Sequence, residues 1–186
     1  TATWATLDGG DGNDILRSNY ASNAVLIGGA GNDTLDSGSR SRGSILHGGT
    51  GTDTLTGGYF EDTYLFKLGD GQDTIISGQT GVSYEEDLFN KLITGQDGIV
   101  VEGDVLKFGP GIQGIGIDIT VTRDGRDLLF THNNGTDQVR VKGWYIFEDA
   151  PLKRVEFDSG AVWKGAELTT LGLTVNGTDE VETLEG

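Results

Sequence analysis

The sequence predicts an all-β protein: a parallel β-roll over residues 1–80, capped by an antiparallel β meander or sandwich-like domain over 81–175. Residues 176–186 read as the start of a further repeat block. Three observations lead there. Gly-rich hexads recur at near-constant spacing through the first half. A single aliphatic residue follows each at fixed offset. From Gly103 onward, short alternating segments are separated by Gly-, Asn- and Asp-rich turns.

The hexads are Gly9-Gly10-Asp11-Gly12-Asn13-Asp14, Gly28-Gly29-Ala30-Gly31-Asn32-Asp33 and Gly48-Gly49-Thr50-Gly51-Thr52-Asp53. They continue into Ile15-Leu16-Arg17, Thr34-Leu35-Asp36 and Thr54-Leu55-Thr56. Asp14, Asp33, Asp53 and Asp73 stand 19, 20 and 20 residues apart, room for two nine-residue units per interval. Degenerate units fill the intervals: 19–27 with Leu26, 39–47 with Leu46, 57–65 with Asp62 and Tyr64. A last unit, 68–76, holds Asp73 and Ile75.

Nine residues suffice for one tight turn and one short strand. Glycine supplies the positive-φ backbone of the turn. In the three extended residues after the Asp, side chains alternate in and out, so only the middle one must be apolar. Two units complete one coil of a flattened roll. Leu7, Leu16, Leu26, Leu35, Leu46, Leu55, Tyr64 and Ile75 are its expected core. Successive units turn on opposite edges, so the three intact hexads and the 68–73 turn share one edge. The turns at 19–24 and 39–44 face the other edge and contain no carboxylate.

Composition narrows what such a roll does. The chain has 29 Asp and Glu against 13 Lys and Arg, a formal charge of -16, and no Cys or Met. Disulfides and thiolate metal sites are excluded. No apolar run reaches the ~20 residues of a membrane helix. Nucleic-acid binding, which draws on phosphate neutralisation by Lys and Arg, does not suit this charge. Only 35% of residues are hydrophobic, so the fold needs stabilisation beyond apolar burial.

Stacked Asp turns supply it if they hold a hard cation. Ca²⁺ takes six to eight oxygens from carboxylates and carbonyls, whereas Mg²⁺ prefers a strict octahedron with retained water. About three ions are expected, in the gaps Asp14/Asp33, Asp33/Asp53 and Asp53/Asp73. The opposite edge is expected to be largely empty, apart from a half-site at Asp62. An EF-hand does not fit, because position twelve counted from Asp8 is Asn19. No G-x-x-x-x-G-K-[ST] phosphate loop occurs.

The pattern G-G-x-G-x-D-x-U-x over residues 9–76 resembles the RTX (repeats-in-toxin) family of secreted bacterial proteins, which includes haemolysins, proteases, adhesins and alginate epimerases. The run from Asp62 through Phe66 and Gly69 to Ile75 is similar to the ending of that family's repeat blocks. The resemblance implies metal ligation by the hexad Asp side chains and by the carbonyls of the first and third hexad residues. Those positions are Gly9, Asp11 and Asp14; Gly28, Ala30 and Asp33; and Gly48, Thr50 and Asp53, with Asp73 closing the series.

In the second half, Ser83–Leu92 reads as a short helix. Asp104–Phe108 reads as a strand before the Gly109-Pro110-Gly111 turn. Ile117–Val121 and Leu128–Phe130 flank Asp124-Gly125 as a hairpin. Val139 and Val141 follow the turn at Asn133-Asn134-Gly135, and Arg154–Phe157 with Ala161–Trp163 make a last hairpin. Gly103–Leu168 resembles the haemolysin-type calcium-binding-related domain that follows RTX blocks, on the pieces Gly103–Ile112, Thr122–Gly125, Val141–Trp144 and Val155–Gly160. Its expected role is a cap over the apolar end of the solenoid. Phe108, Phe130, Trp144, Phe157 and Trp163 are expected in its core, with a sugar-stacking surface as the alternative.

His47 and His132 have neither HExxH spacing nor a nucleophile partner, so both are expected at the surface and no enzyme is expected. Arg40 and Arg42 read as solvated turn residues or as contacts for an acidic polymer. The chain opens at Thr1 without Met or a signal-like segment, and an excerpt of a longer polypeptide is expected. The expected function is a calcium-binding structural module of a large secreted toxin or adhesin, folding outside the cell or on the bacterial surface after type I-like export. The alternative is a carbohydrate- or surface-binding module of an adhesin or epimerase-like protein. Expected partners are calcium, neighbouring domains of the parent chain and, on the alternative, a polysaccharide or cell surface.

Overall fold

A computed structural model describes residues 4–19, 21–78, 103–146 and 150–173. The helix expected at 83–92 and the repeat start at 176–186 lie outside the described residues. Each of the first four coils contributes one strand to each of two sheets. The first sheet receives β1 (Thr6–Asp11), β3 (Val25–Ala30), β5 (Ile45–Thr50) and β7 (Thr63–Phe66). The second receives β2 (Ile15–Arg17), β4 (Thr34–Asp36), β6 (Thr54–Thr56) and β8 (Gln72–Ile76). All neighbours in both ladders are parallel.

The register places Leu7, Leu26, Leu46 and Tyr64 in one inward row, and Leu16, Leu35, Leu55 and Ile75 in the facing row. All eight pack in the core, and Leu7, in the first coil, is only partly buried. Apart from β7, where Phe66 joins Tyr64, each strand of the roll carries a single inward apolar residue, which is how a chain so poor in hydrophobic residues still builds a continuous core.

The second half is built on the same two sheets. β9 (Asp104–Phe108) lies parallel beside β7, and β13 (Leu152–Phe157) parallel beside β9. β12 (Gln138–Val141) lies parallel beside β8. The expected meander is β10 (Ile119–Asp124), β11 (Asp127–His132) and β12, joined antiparallel. The last hairpin pairs β13 with β14 (Val162–Lys164). Among the described residues each sheet has seven strands, parallel through the roll and antiparallel only at the cap.

At the cap the core changes from leucine to aromatic. The Phe108 ring stacks on Phe157 at 5.0 Å and meets Phe66 edge-on at 5.8 Å. Trp144 and Phe130 are each 1% exposed, so these rings pack the core rather than forming a sugar-stacking surface. Helix α1 (Gly165–Gly172) closes over them. Its Leu168 is buried, and Trp144 Nε1 donates to Thr169 Oγ1 at 2.8 Å. Among the described residues no helix is long and apolar enough to cross a membrane.

Removing a fully buried rung should therefore be costly. Leu46→Ala is expected to cost about 3 kcal/mol in urea unfolding at saturating calcium. Ile15→Ala, at a side chain 66% exposed, should change stability by no more than about 0.5 kcal/mol. Equal effects at the two positions would contradict the core assignment.

Candidate metal centre

The four turns of the intact edge stack through their aspartates. Asp14 N donates to Asp33 Oδ1 at 2.7 Å, Asp33 N to Asp53 Oδ1 at 2.7 Å, and Asp53 N to Asp73 Oδ1 at 3.3 Å. One carboxylate oxygen each of Asp33, Asp53 and Asp73 is thereby tied to the preceding turn. The other is not: Oδ2 of Asp14, Asp33, Asp53 and Asp73 is buried without a hydrogen-bond donor. A buried carboxylate oxygen without a partner is costly. Four in a row on one edge mark a place where positive charge is missing.

Glycine leaves the room for it. A methyl group at Gly9 would lie 2.6 Å from the Gly28 carbonyl oxygen and 2.8 Å from Asp14 Oδ2. At Gly28 the same methyl would strike Asp33 Oδ2 and the Gly48 carbonyl oxygen, and at Gly48 it would strike Asp53 Oδ2. Beside Gly9 and Gly28, a free carboxylate oxygen and the next turn's first-glycine carbonyl therefore converge. Gly29, at φ 113°, is needed for a second reason, because a side chain there would run into the Gly10 carbonyl. The third-position carbonyls are already engaged, since Ala30 and Thr50 accept Gly12 N and Gly31 N at 2.7 and 2.9 Å. Asp11 is exposed at the end of β1.

Electrostatics agree with the geometry. Burial raises the Asp53 carboxyl above the ordinary range, with the Asp33 carboxylate adding to the shift. Asp73 is pushed up to about 9, first by burial and then by the Asp53 charge. Like charges held this close do not ionise together without a counter-charge. The donor set is all oxygen, two sides of each gap are anionic, and the gaps repeat; these residues fit a hard divalent cation such as calcium.

The opposite edge uses the same rung with a different ending. Ser44 N donates to Asp62 Oδ1 at 2.8 Å, and Asp62 N to Asp104 Oδ1 at 2.9 Å. Here the second oxygens also have donors: Gly58 N reaches Asp62 Oδ2 at 2.6 Å, and Tyr64 OH reaches Asp104 Oδ2 at 3.2 Å. Asp62, where a half-site was expected, thus has both oxygens on hydrogen bonds within the protein. Asp104 escaped the sequence reading, although Asp104-Val105-Leu106-Lys107-Phe108 repeats the spacing of Asp62-Thr63-Tyr64-Leu65-Phe66.

The ladder stops at Asp73. Its register partner in the next coil is Val139, and the cap binds the fourth turn elsewhere, through Gly69 N donating to Asp137 Oδ2 at 2.6 Å. The two histidines differ from expectation. His132 is buried, its Nδ1 accepting Asn134 N at 3.1 Å in the β11–β12 turn. His47 is half-buried and lies 3.1 Å from Asp70 through Nε2. Arg42 is exposed and stacks over the Phe60 ring at 4.3 Å.

Two family models, both of calcium-binding proteins, match the chain. The RTX calcium-binding nonapeptide repeat model matches residues 6–19, 21–39 and 44–63. The model for the haemolysin-type calcium binding protein related domain matches residues 127–167. No curated protein matches the chain. Among solved structures, the extracellular lipase LipA from Serratia marcescens is similar at 28% identity and a TM-score of 0.49, over 74% of this chain. This chain spans only 18% of that lipase. The AlgE6R3 subunit of the Azotobacter vinelandii mannuronan C5-epimerase is similar at 20% identity and a TM-score of 0.46, over 96% of this chain and 90% of that one. The chain is a calcium-binding β-roll module. It carries RTX nonapeptide repeats followed by a haemolysin-type calcium-binding-related domain.

The hydrogen-bonded edge generates a pH prediction. Burial pushes Asp104 up to about 8, with the Asp62 charge second, and burial pushes Asp62 up to about 6. A carboxyl whose folded pKa lies above its unfolded value stabilises the fold below that unfolded value, about 3.9, and loses the contribution as pH rises through the folded pKa. With calcium saturating, Asp104→Asn should therefore gain Tm relative to the wild type between pH 5 and pH 8.5. Parallel Tm–pH curves would contradict the shift.

Proposed function

We propose that this chain is a folding and stabilising module of a larger secreted protein, a toxin or an adhesin, which assembles when it meets calcium outside the cell. The observation that carries the reading is the row of four buried, donorless Oδ2 atoms on the intact edge. Ligation is assigned to Asp14, Asp33, Asp53 and Asp73, with the first-residue carbonyls of Gly28 and Gly48 supporting the first two gaps. Asp62 is left outside the set, since its oxygens already have donors.

Calcium, when bound, supplies positive charge and demands an oxygen shell. The chain supplies the rest. Its Asp amides fix each carboxylate, its glycines bring carbonyls close, and its leucine rows hold the coils in register. At ~1 mM calcium and a Kd of ~10⁻⁴ M, each ion adds about 1.4 kcal/mol to the folded state. Three such sites together add about 4 kcal/mol, comparable with the stability of a small domain. Three divalent ions also take the formal charge from -16 to -10. At the submicromolar calcium of a cytosol that stabilisation vanishes, which suits a chain exported unfolded.

The test is far-UV circular dichroism with thermal melting, in chelator and in millimolar calcium. The β signal and a cooperative melt should require calcium. Asp33→Ala combined with Asp53→Ala touches all three gaps and should remove up to about 4 kcal/mol of calcium-linked stability. Identical β content with and without calcium would overturn the reading, and so would a double variant with unchanged ion uptake and Tm.

A further inference from the structure

The fifth residue of each hexad, just before the Asp, decides how well each gap between turns is made. In the first two gaps its side chain accepts the amide of its counterpart one turn on. Asn32 N donates to Asn13 Oδ1 at 2.7 Å, and Thr52 N to Asn32 Oδ1 at 2.9 Å. The neighbouring Asp ladder runs the other way, from the amide of the earlier turn to the carboxylate of the later one. Two adjacent residues thus tie successive turns in opposite senses. Neither turn slides or tilts without breaking one of the ties.

The third gap lacks the first tie. Thr52 stands at the fifth position and has no carboxamide, so Gln72 N donates instead to the Gly51 carbonyl at 2.9 Å. Two differences accompany this. The Asp rung lengthens from 2.7 Å in both earlier gaps to 3.3 Å between Asp53 and Asp73. The Gly51 carbonyl is taken up by an amide, whereas in the earlier gaps the equivalent amides go to asparagine side chains and leave the Gly12 and Gly31 carbonyls without that bond. A cation in the third gap meets a carboxylate held by a longer rung.

We propose that Asn13 and Asn32 are positioning residues for calcium, and that Thr52 makes the Asp53/Asp73 gap the weak member of the three. The inference rests on the calcium-ladder reading of the same edge. The asparagines act through the turn, by fixing the backbone from which the next residue's carboxylate projects. Hydrogen bonds that orient metal ligands in this way change affinity by roughly tenfold or more.

Isothermal titration of the full chain with calcium chloride tests it. The wild type should bind two ions more tightly than a third, by about tenfold. Thr52→Asn restores an acceptor for Gln72 N, so it should strengthen the weak site by about the same factor and merge the three into one class. Asn32→Ala should weaken only the Asp33/Asp53 gap, and Asn32→Asp, which keeps an oxygen at that place, should restore it. A merely structural effect would move all three sites together and would not yield a gain from Thr52→Asn. A wild type binding three ions in one class, unchanged by Thr52→Asn, overturns the proposal and leaves the ladder standing. A wild type that takes up no calcium removes the ladder itself.

Discussion

A carboxylate buried with only one of its two oxygens satisfied is the constraint around which this molecule is organised. On the intact edge, Asp33, Asp53 and Asp73 give Oδ1 to the preceding turn, and these three and Asp14 keep a buried Oδ2 without a donor. Hydrophobic burial alone does not offset that arrangement in a chain with so narrow a core. On the proposed reading, a divalent cation supplies these oxygens with their counter-charge. Everything else about the roll serves to keep those oxygens in line: parallel ladders set the spacing, single inward leucines set the register, and glycines admit carbonyls where a side chain would block them.

The opposite edge serves as an internal control. The same backbone-to-carboxylate rung appears at Asp62 and Asp104, in the same parallel ladder, yet Gly58 N and Tyr64 OH supply the second oxygens with donors. Where both edges carry the rung, they differ in the fate of the second oxygen. On the proposed reading, that difference makes one edge a cation site and leaves the other satisfied within the protein. Burial raises carboxyls on both edges, Asp53 and Asp73 on the first and Asp62 and Asp104 on the second.

Much of this was legible in the sequence, because a nine-residue repeat reports both its turn and its inward residue. The hexads and the row from Leu16 to Ile75 stand where their spacing puts them. What was not legible depends on partners distant in the chain. Asp104–Phe108 repeats the spacing of Asp62–Phe66, but the repeat alone does not reveal that the two segments pair in parallel or that Asp104 extends the Asp62 rung. His132 reads as a turn-side surface residue, since a two-residue contact with Asn134 and packing beneath the β11–β12 turn leave no periodic trace. The alternation of Asn13, Asn32, Thr52 and Gln72 was in plain sight, but its meaning required the directions of the hydrogen bonds.

An anomalous difference map from crystals grown in calcium would examine the central claim most directly. Peaks between Asp14 and Asp33, Asp33 and Asp53, and Asp53 and Asp73, with none at Asp62 or Asp104, are the result this account predicts. Equal density on both edges, or an intact edge without ions, would contradict it.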